Sequence, residues 1–215
     1  RANNIIVTGK LVINDCSVWV KNSLKIKDNG SVSVSASSSD ERETASRRNL
    51  SIDNELRLES NAKLLIDGAN VAVDGRLNVM GDSFISQSGG SITVCKRVTF
   101  DSSKLSSLSS GIINAYDDVK LYKGYYATSA RHELNLLYDY SGWGWRNFTF
   151  KQDKEQKIGC LYVANSDKYS GLNNLTGSEY YKANVLPSGV EITFSVDELQ
   201  AAMTYTDSSL YSVTP

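Results

Sequence analysis

"ELRLESNAKLLIDGANVAVDGRLNV", residues 55–79, contains its own echo: Glu55-Leu56-Arg57-Leu58 returns 21 residues later as Arg76-Leu77-Asn78-Val79. Taken as inward positions, Leu56 and Leu58 step by 21 to Leu77/Val79, Val98/Phe100 and Val119/Leu121. Backward, with three residues of slack, the same pair reaches Val32/Val34 and then Leu11/Ile13. All twelve positions are apolar in a chain that is 40% hydrophobic. For independent positions that is a coincidence of roughly one in tens of thousands. The residues between them include Ser33, Arg57, Asn78, Thr99 and Lys120. Such period-two alternation is a strand with one face in and one face out.

A second series lies six residues upstream: Ile5/Val7, Leu50/Ile52, Val71/Val73, Ile92/Val94 and Ile113/Ala115, with Leu24/Ile26 as its irregular second rung. A third is less regular: Val18/Val20, Leu64/Ile66, Phe84 and Leu105. If these point inward, Trp19, Leu65 and Ile85 form an outer apolar stripe, a possible contact surface. A register shift of one residue would instead put them partly in the core.

One register recurring in one chain direction stacks parallel strands on themselves. The expected fold class is therefore all-β, a single-chain parallel β-helix (β-solenoid) with rungs of about 21 residues. The step exceeds the about 18 residues of three hexapeptide turns, which favours the right-handed form. Residues 1–121 form the regular rungs. Within them the polar run "SASSSDERETASRR", residues 35–48, is an extruded loop. Residues 122–215 continue the helix with longer loops through Leu134/Leu136, Leu161/Val163 and Ile192/Phe194; a small cap of antiparallel strands is the alternative. Ser195 and Glu198 make a capping box, so a short helix near residues 195–204 would close the open end.

A net charge of −1 leaves no basic footprint for nucleic acid, and no apolar run is long enough for a membrane span. The chain opens at Arg1 without a methionine, which reads as part of a longer, surface-anchored protein. Cys16, Cys95 and Cys160 are far apart and form no metal-ligand spacing.

Catalytic chemistry finds little support. Outward positions on neighbouring rungs do not stack two carboxylates. Asp67 and Asp74 each precede glycine and make turns; Asp53 lies near them. His132, the one histidine, has the "RHE" context of a surface residue, and Cys160 precedes a strand and should be packed. No catalytic residue, metal ligand or cofactor is assigned. Aromatics are another matter, since eleven of the 12 tyrosines lie at or beyond position 122. Tyr125, Tyr126, Tyr138, Tyr140, Trp143, Trp145, Tyr180 and Tyr181 fall in the expected loops of consecutive rungs. Flat rings stack on the apolar faces of sugars at small entropy cost, so these eight are the candidate ligand-binding residues.

The stacked pattern through "DGRLNVMGDSFISQSGG" resembles right-handed parallel β-helix surface proteins of bacteria, well over residues 4–121 and loosely beyond. In outline the chain is similar to the tapirins, non-enzymatic β-helix proteins with aromatic loops that adhere to cellulose. The resemblance implies an extracellular or cell-surface adhesin with a polysaccharide partner. A polysaccharide lyase or glycoside hydrolase, and a structural module of a pilus, fibre or envelope assembly, are the alternatives.

Overall fold

A computed structural model describes residues 1–37, 48–137, 146–151 and 156–163, and the backbone of three short strands beyond them. The chain is an all-β parallel solenoid of about six turns, and the described residues contain no helix. Each turn places one strand on each of three walls.

The first wall stacks β1 (Ala2–Val7), residues 23–26 of β3 (Val18–Ile26), β6 (Glu55–Leu58), β9 (Arg76–Gly81), β11 (Val98–Ser102), β13 (Val119–Lys123) and β15 (Phe148–Phe150). The second stacks the start of β3, β5 (Leu50–Ile52), β8 (Asn70–Val73), residues 91–94 of β10 (Phe84–Val94), residues 111–115 of β12 (Ser107–Ala115), β14 (His132–Leu136) and β17 (Cys160–Val163). The third stacks β2 (Lys10–Asn14), β4 (Ser31–Ser35), β7 (Lys63–Asp67) and the first halves of β10 and β12. All these pairings are parallel. Their apolar residues alternate inward and fill one continuous core, in which Leu24, Leu56, Leu77, Val98 and Val119 are fully buried one above another.

The 21-residue step holds as read from β5 to β14: Leu50, Val71, Ile92, Ile113 and Leu134 are register partners in succession. Leu161 pairs with Leu134 and Val163 with Leu136, as expected from the stretched rung. A first-wall rung that sequence reading missed pairs Phe148 with Val119 and Phe150 with Leu121.

Three assignments are corrected. Leu11/Ile13 and Val32/Val34 belong to the third wall, below Leu64/Ile66; Ile5/Val7 with Leu24/Ile26 belong to the first, below Leu56/Leu58; and Val18/Val20 belong to the second, below Leu50/Ile52. The step across the polar run is 32 residues (Leu24 to Leu56, Val32 to Leu64), eleven more than the regular step. The slack of three led to the wrong wall. The third wall also shifts by one residue after β7: Ile85, not Phe84, lies over Leu64 and is fully buried. Ser106 takes the inward place next, leaving Leu105 exposed.

Beyond the stack, β16 (Gln156–Lys157) pairs antiparallel with β19 (Val185–Leu186), and β18 (Glu179–Tyr180) with β20 (Phe194–Ser195). Phe194 is thus paired antiparallel rather than in the parallel stack. Ile192 and the expected cap helix near 195–204 lie outside the described residues.

At the other end, β1 and β2 each pair on one side only among the described residues. Ile5, Leu11 and Val18 are only partly covered there, and Ile6 and Val12 are 63% and 54% exposed.

Candidate functional site

The expected ligand residues divide three ways. Trp143, Trp145, Tyr138, Tyr140 and Tyr181 lie outside the described residues, and so does the side chain of Tyr180. Tyr126 is half-buried on the outer surface, with the Lys157 ammonium 5.9 Å from its ring centroid. Tyr125 is a correction: it is fully buried, edge-on to Phe100 at 5.1 Å, and presents no surface to a ligand. Alternation explains the split, because adjacent residues in extended chain face opposite sides.

Tyr126 lies on the third wall, and the other walls of the C-terminal turns carry further outward rings. Tyr122 follows Leu121 on the first wall, under the Lys151 ammonium at 4.8 Å. Tyr116 stands exposed at the corner between second and first walls, and Tyr162 lies outward over Asn135 on the second. Asn135 in turn donates to Asn114 at 3.1 Å, and Asn114 to Thr93 at 3.5 Å. Thr93, Asn114, Asn135 and Tyr162 are therefore held at successive rungs of the second wall, about 4.8 Å apart.

Of the expected contact stripe, Trp19 is outward and 39% exposed. Its indole donates to Asp53 at 2.6 Å and lies under the Arg1 guanidinium at 3.8 Å. Leu65 is half-buried on the third wall, and Ile85 is core, so the three do not form one stripe.

His132 is not a surface residue. It is fully buried, with Tyr125 on one ring nitrogen and Gln87 on the other. The Gln87 amide nitrogen faces the carbonyls of Gly89, Gly90 and Ile112 at 3.3–3.4 Å. It must therefore donate, so Gln87 Oε1 accepts from His132 Nε2–H at 3.1 Å. That leaves Nδ1 as acceptor for the Tyr125 hydroxyl at 3.3 Å. Gly90 and Gly111, at φ of +66° and +98°, turn the corner that aims those carbonyls inward, and a Cβ on Gly111 would meet the Gln87 amide at 2.6 Å. Burial holds the His132 pKa down to about 3 and pushes the Tyr125 hydroxyl up, so both are neutral. Such a satisfied, neutral network fixes the packing of three rungs and reaches no solvent.

Burial also raises the Glu133 carboxyl, partly offset by Asn135. A general acid would need a partner, and its register neighbours are Ile112 and Cys160. Asp67 accepts from Ser88 at 2.9 Å, and Asp74 lies 3.9 Å from the Cys95 thiol, whose pKa burial and Asp74 raise. Cys160 is buried, as expected.

No family model matches the chain, and no curated protein or solved structure does either.

Proposed function

We propose that this protein is a non-catalytic extracellular binding module that adheres to a polysaccharide through aromatic side chains on its C-terminal rungs. The observation that carries the reading is the set of outward rings on the C-terminal turns: Tyr116, Tyr122 and Tyr126 spaced around one turn, and Tyr162 next in the second-wall column after Asn114 and Asn135. Rings give area to the apolar face of a sugar, and amides give partners to its hydroxyls. Retention on insoluble cellulose, xylan and chitin tests it. Replacing Tyr122 and Tyr126 together by Ala should weaken retention on the preferred glycan about tenfold or more. Retention on none of the three counts against the reading.

A second reading, a structural module that adds to a fibre or envelope assembly, is favoured by the open end at β1 and β2. Unpaired strand edges recruit further strands. Sedimentation velocity across a concentration series would show self-association, which Ile6→Lys with Val12→Lys should abolish. An unchanged, concentration-independent monomer in the parent chain removes this reading.

A further inference from the structure

We propose that the third wall carries a separate site for a uronate-bearing polysaccharide, centred on Phe84 between Lys63 and Lys104. The proposal rests on the reading of the chain as a glycan-binding module and adds a charged ligand class to it, on the wall that carries Tyr126 further along the stack. Phe84 is outside because the register requires it. It pairs with Lys63 of the preceding rung, while Ile85 takes the core position over Leu64. The ring is left half-exposed on a wall whose central outward column reads Val12, Ser33, Leu65, Ser86 and Ser107, so that only short serines stand in that column on its own rung and the next. Leu65 and Leu105 extend the apolar ground on either side.

Two ammonium groups converge on that ring, Lys63 at 6.0 Å and Lys104 at 5.7 Å from its centroid. Cation–π attraction at an exposed site is worth only about 0.5–1 kcal/mol each, and the two like charges repel. Among the described residues neither has a carboxylate within ion-pair distance. The nearby acids are engaged elsewhere: Asp67 by Ser88, Asp82 by Ser103, Asp101 by Lys123 and Asp28 by Lys27. An anion beside Phe84 would complete the arrangement. A uronate has the matching parts, a pyranose C–H face for the ring and a carboxylate for the ammonium groups. Lys10 stands in the same outward column two strands before Lys63, roughly 10 Å along the stack, so the positive charge repeats along the axis a polymer would follow.

Affinity electrophoresis of the full chain through gels containing alginate, or neutral dextran, tests the site. Alginate should retard the wild type, less so as salt rises. Lys63→Gln with Lys104→Gln should weaken that binding about tenfold, and Phe84→Ser should weaken it as well. All three positions are on the outer wall, so the unfolding midpoint serves as a check on the fold. Tyr122→Ala, on the first wall, should leave alginate binding intact while reducing retention on the neutral glycan. Alginate affinity unchanged in the lysine variant, or insensitive to salt in the wild type, overturns the site and leaves the binding-module reading standing. So does stronger lysine-dependent binding to phosphatidylserine vesicles or to single-stranded DNA than to alginate. Binding to no glycan, neutral or acidic, overturns both.

Discussion

Gly75→Ala should destabilise the protein by about 3 kcal/mol or more, whereas Gly9→Ala should change little. A Cβ built on Gly75 would lie 1.5 Å from the carbonyl oxygen of Asn54 and 2.4 Å from its carbonyl carbon. Both are backbone atoms of the turn one rung earlier, so no rotamer relieves the overlap. That turn is held on both sides. Asn54 N–H donates to Asn22 O at 3.0 Å, Arg76 N–H to Asn54 O at 2.7 Å and Lys96 N–H to Gly75 O at 3.0 Å. Making room means separating stacked turns and breaking some of these bonds. Overpacking costs about 1–3 kcal/mol where side chains can give, and here only backbone can. A Cβ on Gly9 meets nothing within 4 Å. Urea unfolding of the two variants beside the parent decides the point. Equal small losses would mean that the turns are not stacked as tightly as described.

The solenoid was legible because its physics is periodic: the same inward pair every 21 residues, confirmed in register from Leu50 to Leu134. Which wall a pair belongs to was less legible. Three apolar pairs occur in every rung, so a wrong offset still lands on apolar residues. A slack of three carried Leu56 to Val32, and nothing in the residues objected. The step from Leu24 to Leu56 is 32 residues, and a slack of eleven instead of three would have sent Leu56 to Leu24. The third wall failed for a related reason. Phe84 and Ile85 are both apolar, so alternation alone cannot say which faces in; the neighbours' register does.

The sites were less legible than the fold. Tyr125 and Tyr126 look alike in sequence, and only their positions over Phe100 and Lys157 separate a core ring from a surface one. Gln87 and His132 are polar residues at inward positions, 45 residues apart. Each alone reads as an exception to the pattern, and only their bond to each other explains both. The Phe84 cluster follows the same logic, since its lysines come from the rungs before and after.

The buried network gives the second large effect, a loss of stability in acid that depends on His132. Its folded pKa is about 3, below the about 6.5 of an unfolded histidine. Between those values the unfolded chain binds a proton that the folded chain excludes. The contribution is therefore complete above pH 6.5 and is lost as pH falls from there toward 3, at about 1.4 kcal/mol per pH unit. At pH 4.5 the loss from this residue should reach about 2.7 kcal/mol. His132→Gln removes the titrating group. It should be less stable than the parent at pH 7 by about 1–3 kcal/mol, because Tyr125 and Gln87 lose a matched partner. It should also lose about 2.7 kcal/mol less than the parent between pH 7 and pH 4.5. Carboxylates titrate in both chains and cancel in that difference. Urea unfolding at the two pH values measures it, and parallel losses in the two proteins would place the acid sensitivity elsewhere. The damage should also be local at first. Hydrogen exchange should rise in β14 and in its neighbours β12 and β17 before it rises in β6 and β9, because each rung of a solenoid is held by its immediate neighbours.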